Sequence, residues 1–182
     1  LHTTNKLAAE LHGQWRNNWG VTGVGLDVAQ TYLSSNNLGE RSRLTTTLFL
    51  EHRAQFLNNR LDVIPGVAVS SYSDFGTFAY PGVDVGFAIN PNWRIYGNAG
   101  YTYRIPTYTD LFYSDPNTLG DADLEPEKAL AYELGLRLGR GPVKFSAAWF
   151  RRDADNLIDY VKNTPEDLWQ VANVRGLLTS GL

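Results

Sequence analysis

Apolar and polar residues alternate along most of this chain, and they do so in runs too long for an ordinary soluble strand. From Trp93 to Tyr103, residues Trp93, Ile95, Gly97, Ala99, Tyr101 and Tyr103 fall on one face, with Arg94, Tyr96, Asn98, Gly100 and Thr102 on the other. Lys128 to Leu138 sets Leu130, Tyr132, Leu134, Leu136 and Leu138 against Ala129, Ala131, Glu133, Gly135 and Arg137. Leu7 to Arg16 sets Leu7, Ala9, Leu11, Gly13 and Trp15 against Ala8, Glu10, His12, Gln14 and Arg16. Between Arg43 and Leu57 the same pattern holds, with Phe49 as its exception, and the alternation Val83-Asp84-Val85 turns Asp84 toward the polar side. A period of two specifies strands, whereas a helical stripe would space apolar residues three and four apart. Several runs reach roughly 10 to 15 residues, against about 5 to 6 in soluble sheets and about 9 to 11 for a tilted strand crossing a bilayer.

Composition narrows the choice. Aromatic residues make up 13% of the 182 positions, with 10 Tyr, 5 Trp and 17 Gly, yet mean hydropathy is only −0.29. Membrane β-barrels combine an apolar outside, a polar lumen and aromatic rims. The absence of cysteine excludes disulfide frameworks, cysteine zinc sites and thiol chemistry. A net charge of −3 argues against nucleic-acid binding. No apolar run approaches the roughly 18 residues of a membrane helix, and no basic-then-apolar leader opens the sequence. A start on Leu1 and the lack of Met lead us to expect a piece of a longer chain.

Polar punctuation separates the strands. Asn17–Gly20, Asn58–Arg60, Asn90–Asn92 and Gly139–Pro142 read as short turns; 34–41, 73–81, 105–127 and 153–168 read as longer loops. Short turns at one end and long loops at the other are the arrangement of outer-membrane barrels. The expected fold is therefore all-β, an antiparallel up-and-down transmembrane β-barrel segment. It has about eight full strands and a partial ninth over Trp169–Leu182, with no internal domain boundary, and loop 105–127 lies outside the cell. A self-contained eight-stranded barrel, membrane-embedded or lipocalin-like, is the alternative. Because open sheet edges are not tolerated in lipid, the two edges are expected to be paired or the sheet to close.

Three blocks carry a family resemblance: Tyr103-Arg104-Ile105-Pro106-Thr107 with Asp110-Leu111-Phe112-Tyr113; Gly120 with Leu124-Glu125-Pro126-Glu127-Lys128; and Tyr132-Glu133-Leu134-Gly135. Asn173-Val174-Arg175 adds a fourth match. In order and spacing they resemble the barrel of TonB-dependent outer-membrane receptors. The Arg104–Tyr113 run, with Asn156–Val161 and Trp169-Gln170, is most similar to vitamin B12 (cobalamin) receptors; ferric-siderophore and haem receptors share most of the blocks. The resemblance implies a barrel of about 22 strands, of which residues 1–182 are a part and from which the plug domain is absent. It further implies a Gram-negative outer membrane, import of a scarce ligand such as cobalamin or an iron chelate, and power from TonB through an N-terminal region. Lipid, lipopolysaccharide and a surface lipoprotein would be its neighbours, and no cofactor or covalent chemistry is involved.

Candidate ligand-binding residues in the long loop are Arg104, Tyr108, Asp110, Tyr113, Asp115 and Asn117, whose aromatic, amide and charged groups suit a large polar ligand. For any one of these residues, folding of the loop and anchoring in an aromatic girdle is the simpler explanation. The acidic run Asp110, Asp115, Asp121, Asp123, Glu125 lacks the spacing of a calcium loop and reads as solvated. Arg104, Arg137, Arg151 and Arg152 either line a path for an anion, dock a plug, or pair with Glu133, Asp153 and Asp155 in the lumen. His2, His12 and His52 stand isolated in sequence, without metal or hydrolase spacing, so no metal or catalytic residue is assigned and the protein is expected not to be an enzyme.

Overall fold

The computed structural model describes residues 1–182, the whole sequence. Its elements in chain order are β1 (His2–Asn17), β2 (Gly20–Ser35), β3 (Gly39–Phe56), β4 (Leu61–Tyr72), β5 (Gly76–Ala88), β6 (Trp93–Arg104), a short helix α1 (Tyr108–Phe112), β7 (Thr118–Leu119), β8 (Glu127–Arg140), β9 (Val143–Asp155), β10 (Leu157–Val161), β11 (Trp169–Val174) and β12 (Leu177–Gly181). Nine of the strands form one sheet in the order β1-β2-β3-β4-β5-β6-β8-β9-β12. Every neighbouring pair is antiparallel, the up-and-down arrangement of a membrane barrel wall.

The register keeps the two faces distinct. Leu11, Leu26, Leu48, Val69 and Ala79 lie side by side across five strands, and Leu134 pairs with Trp149 further round the same face. Leu11 is 74% and Leu134 58% exposed. Only 15 of 182 residues are buried, so this apolar face has no second protein layer and suits hydrocarbon instead. Pro65 and Pro81 both sit on it. The opposite face carries Glu10, His12, Asp27, Glu51, Asp62, Asp84, Glu133 and Arg137, which places Asp84, Glu133 and Arg137 on the polar wall as expected. Phe49, the exception to the alternation, also faces this wall. It lies across Gly25, where a Cβ would come within 2.1 Å of its ring.

Several boundaries differ from the sequence reading. Segments 34–41 and 73–81 are mostly strand, because pairing continues through Ser34↔Glu40 and Tyr72↔Gly76. Three residues close each connection, and Gly39 (φ 73°) and Gly76 (φ 80°) supply the left-handed backbone of these tight turns. The segment Trp169–Leu182 is two strands rather than one. β11 joins a small sheet with β10 and β7, and only β12 continues the main sheet, beside β9. A Cβ at Gly176, between them, would sit 2.8 Å from the Ala154 carbonyl, so the chain crosses back to β9 on a residue without a side chain. Arg151 bonds Asp153 on the leucine face rather than in the lumen, at the long-loop end where Tyr132 joins them. The sheet does not close: β1 and β12 are its edges and pair only inward, against the expectation of paired edges. Nine strands here form an open arc, not the small closed barrel.

Candidate functional site

The one compact core of the molecule lies at the long-loop end. Leu111, Leu124 and Val171 are buried together, with Phe75, Phe112 and Ile158 packed on them. They come from α1, the 120s segment, β11, the β4–β5 turn and β10, so the loop between β6 and β8 and the loop between β9 and β12 fold as one body. The small sheet β10-β11-β7 ties them together.

A ring of polar contacts holds this body to the wall. Pro106 ends the β6 ladder and is buried. Thr107 then caps α1: its Oγ1 accepts from the Asp110 N–H (3.1 Å), and Asp110 Oδ2 accepts from the Thr107 N–H (2.9 Å), a reciprocal capping box. Arg104, the last residue of β6, donates to Asp110 Oδ2 (3.0 Å) and to Glu127 Oε1 (2.9 Å). The same Glu127 oxygen accepts from the Ile158 N–H (2.9 Å). One guanidinium thus joins two buried carboxylates, from the helix and from the first residue of β8. Asn173 locks the second loop: its amide donates to the carbonyls of Glu125 and Asn156, both at 2.9 Å, and its Oδ1 accepts from the Glu125 N–H. Gly120 makes room for α1, since a Cβ there would lie 2.8 Å from the Asp110 carbonyl oxygen.

The structure divides the six candidate residues. Arg104 and Asp110 are engaged in the cap just described. Tyr108 stacks on Phe112 with its hydroxyl buried and unpartnered, and the Arg43 guanidinium lies 5.0 Å from its ring. Tyr113, Asp115 and Asn117 sit beyond the cap. Asp115 accepts from the Asn117 N–H (2.7 Å) and the Tyr113 hydroxyl (3.0 Å). These two bonds hold its carboxyl below the ordinary carboxylate value, and the bond to Asp115 raises the Tyr113 hydroxyl. The sign follows from linkage: a depressed folded value stabilises this turn above about pH 4 and the gain is lost as pH falls through the lowered value. The protection of the Asn117 amide from hydrogen exchange, taken relative to its intrinsic rate at each pH, is therefore expected to fall below about pH 4, and an Asp115→Asn variant is expected to remove that dependence. An equal fall in protection in both proteins would show that Asp115 does not hold the turn.

Tyr160 and Trp169, outside the candidate set, complete the surface. Tyr160 pairs with the buried Val171, and Trp169 shares Val171's face of β11. The side chains continue that face past the core and are 42% and 43% exposed. Lys162 lies 5.0 Å from the Trp169 ring. The alternation around Trp169 was visible in the sequence, but its place beside the first loop depends on the parallel pair Trp169↔Thr118, which joins residues far apart in the chain. The surface thus offers aromatic faces, an amide and a carboxylate, set on a body whose buried carboxylates Asp110 and Glu127 are both paired. That combination can stack on and hydrogen-bond a large polar molecule.

The fold and sequence both have relatives. A model of the family "TonB dependent receptor-like, beta-barrel" matches residues 2–181. The vitamin B12 transporter BtuB of Vibrio vulnificus (strain YJ016) is 22% identical over 129 residues, covering 71% of this chain and 21% of the relative. The crystal structure of the siderophore receptor PirA from Pseudomonas aeruginosa superposes with a TM-score of 0.85 at 19% identity, over 98% of this chain and 35% of that one. The ferric enterobactin receptor PfeA of Pseudomonas aeruginosa, a Q482A mutant in complex with enterobactin, gives 0.85 at 15% identity, over 99% of this chain and 33% of that one. The chain therefore spans about a fifth of the curated relative and a third of each solved structure. With the family model matching nearly every residue, the first two sequence blocks meeting in one capped loop body and the third set in β8 of an open up-and-down wall, this chain belongs to the TonB-dependent receptor β-barrel family.

Proposed function

We propose that this chain is a wall segment of an outer-membrane transport receptor of a Gram-negative bacterium, and that its joined loops capture a corrinoid of the cobalamin type. The observation that carries the reading is the surface of half-buried Tyr113 and Asp115 and exposed Asn117, extended by Tyr160 and Trp169 on a body pinned by Arg104. A large ligand with an apolar ring face and a rim of amides suits aromatic faces flanked by hydrogen-bonding groups. The likeness to vitamin B12 transporters supports the choice of ligand, and the likeness to siderophore receptors supports capture of a bulky metal chelate in general.

In this reading the apolar face meets lipid and lipopolysaccharide, and the polar face meets a plug domain. Further strands continue from β1 and β12, and TonB acts through an N-terminal region outside this segment. A surface lipoprotein would cap the loops. The protein performs no covalent chemistry.

Titration of the full-length protein in detergent with cyanocobalamin, and separately with ferric enterobactin, tests the reading. Saturable cobalamin binding is expected, weakened about tenfold by Trp169→Ala, which corresponds to about 1.4 kcal/mol. Binding of the ferric chelate alone would overturn the corrinoid assignment; binding of neither would overturn ligand capture by these loops.

A further inference from the structure

The polar face of the β1–β2 hairpin holds a group that the transport reading does not use. Glu10 stands directly opposite Asp27, and His12 is diagonal to Asp27 two residues along β1. The His12 Nε2–H donates to Asp27 Oδ1 at 2.8 Å. One donor atom from each of Glu10, His12 and Asp27 lies within 4.8 Å of the others. Ligand atoms bound to one ion at about 2.0–2.2 Å are at most about 4.4 Å apart, so a small rotation of exposed side chains brings all three onto a single centre. From this geometry we infer that Glu10, His12 and Asp27 form a binding site for a divalent transition-metal ion on the inner wall.

Two features make this more than a solvated patch. Carboxylates directly opposite on neighbouring strands repel, and neither Glu10 nor Asp27 pairs with a Lys or Arg side chain; the one side chain bonded to either is His12, on Asp27. A cation between the two carboxylates relieves that repulsion. The imidazole is also held in place before any ion arrives. It packs edge-on against Phe49, with ring centroids 5.2 Å apart and planes at 75°. Both rings fit because the residue between them is Gly25, where a Cβ would clash with Phe49 at 2.1 Å and with His12 at 2.8 Å. One imidazole nitrogen and two carboxylate oxygens select Zn²⁺, Cu²⁺ or a related ion over Ca²⁺ or Mg²⁺, which take oxygen alone. Three protein donors leave the remaining positions to water, as in an exchangeable site. Coordination at Nε2 moves the ring proton that now bonds Asp27 to Nδ1, and the Asp27 oxygen turns from that proton to the ion.

The test uses the full-length protein in detergent, loaded with Cu²⁺ and followed by electron paramagnetic resonance, with Zn²⁺ titrated by calorimetry. The wild type is expected to bind one equivalent that shows superhyperfine coupling to a single imidazole nitrogen. His12→Gln is expected to lose that coupling and to weaken the corresponding Zn²⁺ equivalent by more than about 100-fold, since outer-shell partners alone change affinity about 10- to 100-fold. Glu10→Gln, which disturbs no hydrogen bond of the fold, is expected to weaken it while keeping the nitrogen signal. Circular dichroism of each variant checks that the barrel is formed. A wild type that binds neither ion, or variants that keep the same equivalents and the same spectrum, would overturn the site. Cobalamin binding, read in parallel, is expected to be unchanged in both variants.

Discussion

An Arg104→Met variant is expected to keep its strand wall and to lose the order of its loop body. Asp110 and Glu127 are 6% and 7% exposed, and Arg104 is the one cation bonded to both. Removing it strands two buried carboxylates beside each other. Breaking a buried ion pair from one side costs about 3–5 kcal/mol. The Arg104 side chain is itself 44% exposed, so water screens part of the interaction and about 3 kcal/mol is the better expectation. The loss falls on the loop body, because the β6–β8 ladder below Arg104 is complete without it. Protease cleavage confined to 105–126 and 156–176, with unchanged circular dichroism, is the expected result. Arg104→Lys does not rescue it, since an ammonium lacks the planar fork that reaches two carboxylates at once. Full protection in Arg104→Met, together with lost ligand binding, would instead make Arg104 a ligand contact.

What the sequence revealed and what it hid follow from the range of the interactions. The strands were legible because the period-two pattern is local: Trp93–Tyr103 states its own faces whatever pairs with it. The short turns were legible for the same reason, as with Asn58 and Asn59, which take positive φ between β3 and β4. The ends of β2, β3, β4 and β5 were not. Ser34, Glu40 and Thr77 look like loop residues, yet they extend hairpins that three-residue turns with a positive-φ glycine can close. The site was half legible. Residues 104–113 and 120–128 stood out as blocks, but nothing local said that Asp110 is buried by Arg104, or that Asn173 reaches back to Glu125. Tyr160 and Trp169 gained their place only through long-range pairing. His12 looked solitary because its partner lies fifteen positions on; centring the first hairpin on the Asn17–Gly20 turn would have brought it to Asp27.

Removing both arginines around Asp62 destabilises the barrel wall itself. The Asp62 side chain is 4% exposed at the short-turn end of the polar face. It accepts from Arg53 at 2.8 Å, from Gln55 at 2.9 Å and from Arg94. Either arginine alone leaves the carboxylate charge-paired, so Arg53→Met, which removes two bonds to one half-exposed guanidinium, or Arg94→Met, which removes one, costs about 1.5–3 kcal/mol, the range for hydrogen bonding to a charged group. Arg53→Met with Arg94→Met leaves Gln55 as the only side-chain donor and costs about 3–5 kcal/mol. Urea unfolding in detergent, followed by tryptophan fluorescence, measures each. Adding Asp62→Asn to the double variant recovers part of the loss, because the damage comes from the stranded anion; no recovery would mean that the arginine stems, not the charges, support the wall. The surroundings explain why an anion sits there. Arg16, Arg53, Arg94, Arg137 and Lys144 all reach this end of the polar face, and Arg94 is directly opposite Arg137. Arg137 turns its guanidinium onto the Tyr96 ring, 4.4 Å from the centroid, and Asp62 pairs with Arg53 and Arg94. Asp62→Leu therefore exposes a cluster of like charges. Its destabilisation is expected to shrink as salt is raised, which the double variant's, arising from desolvation of a buried carboxylate, does not.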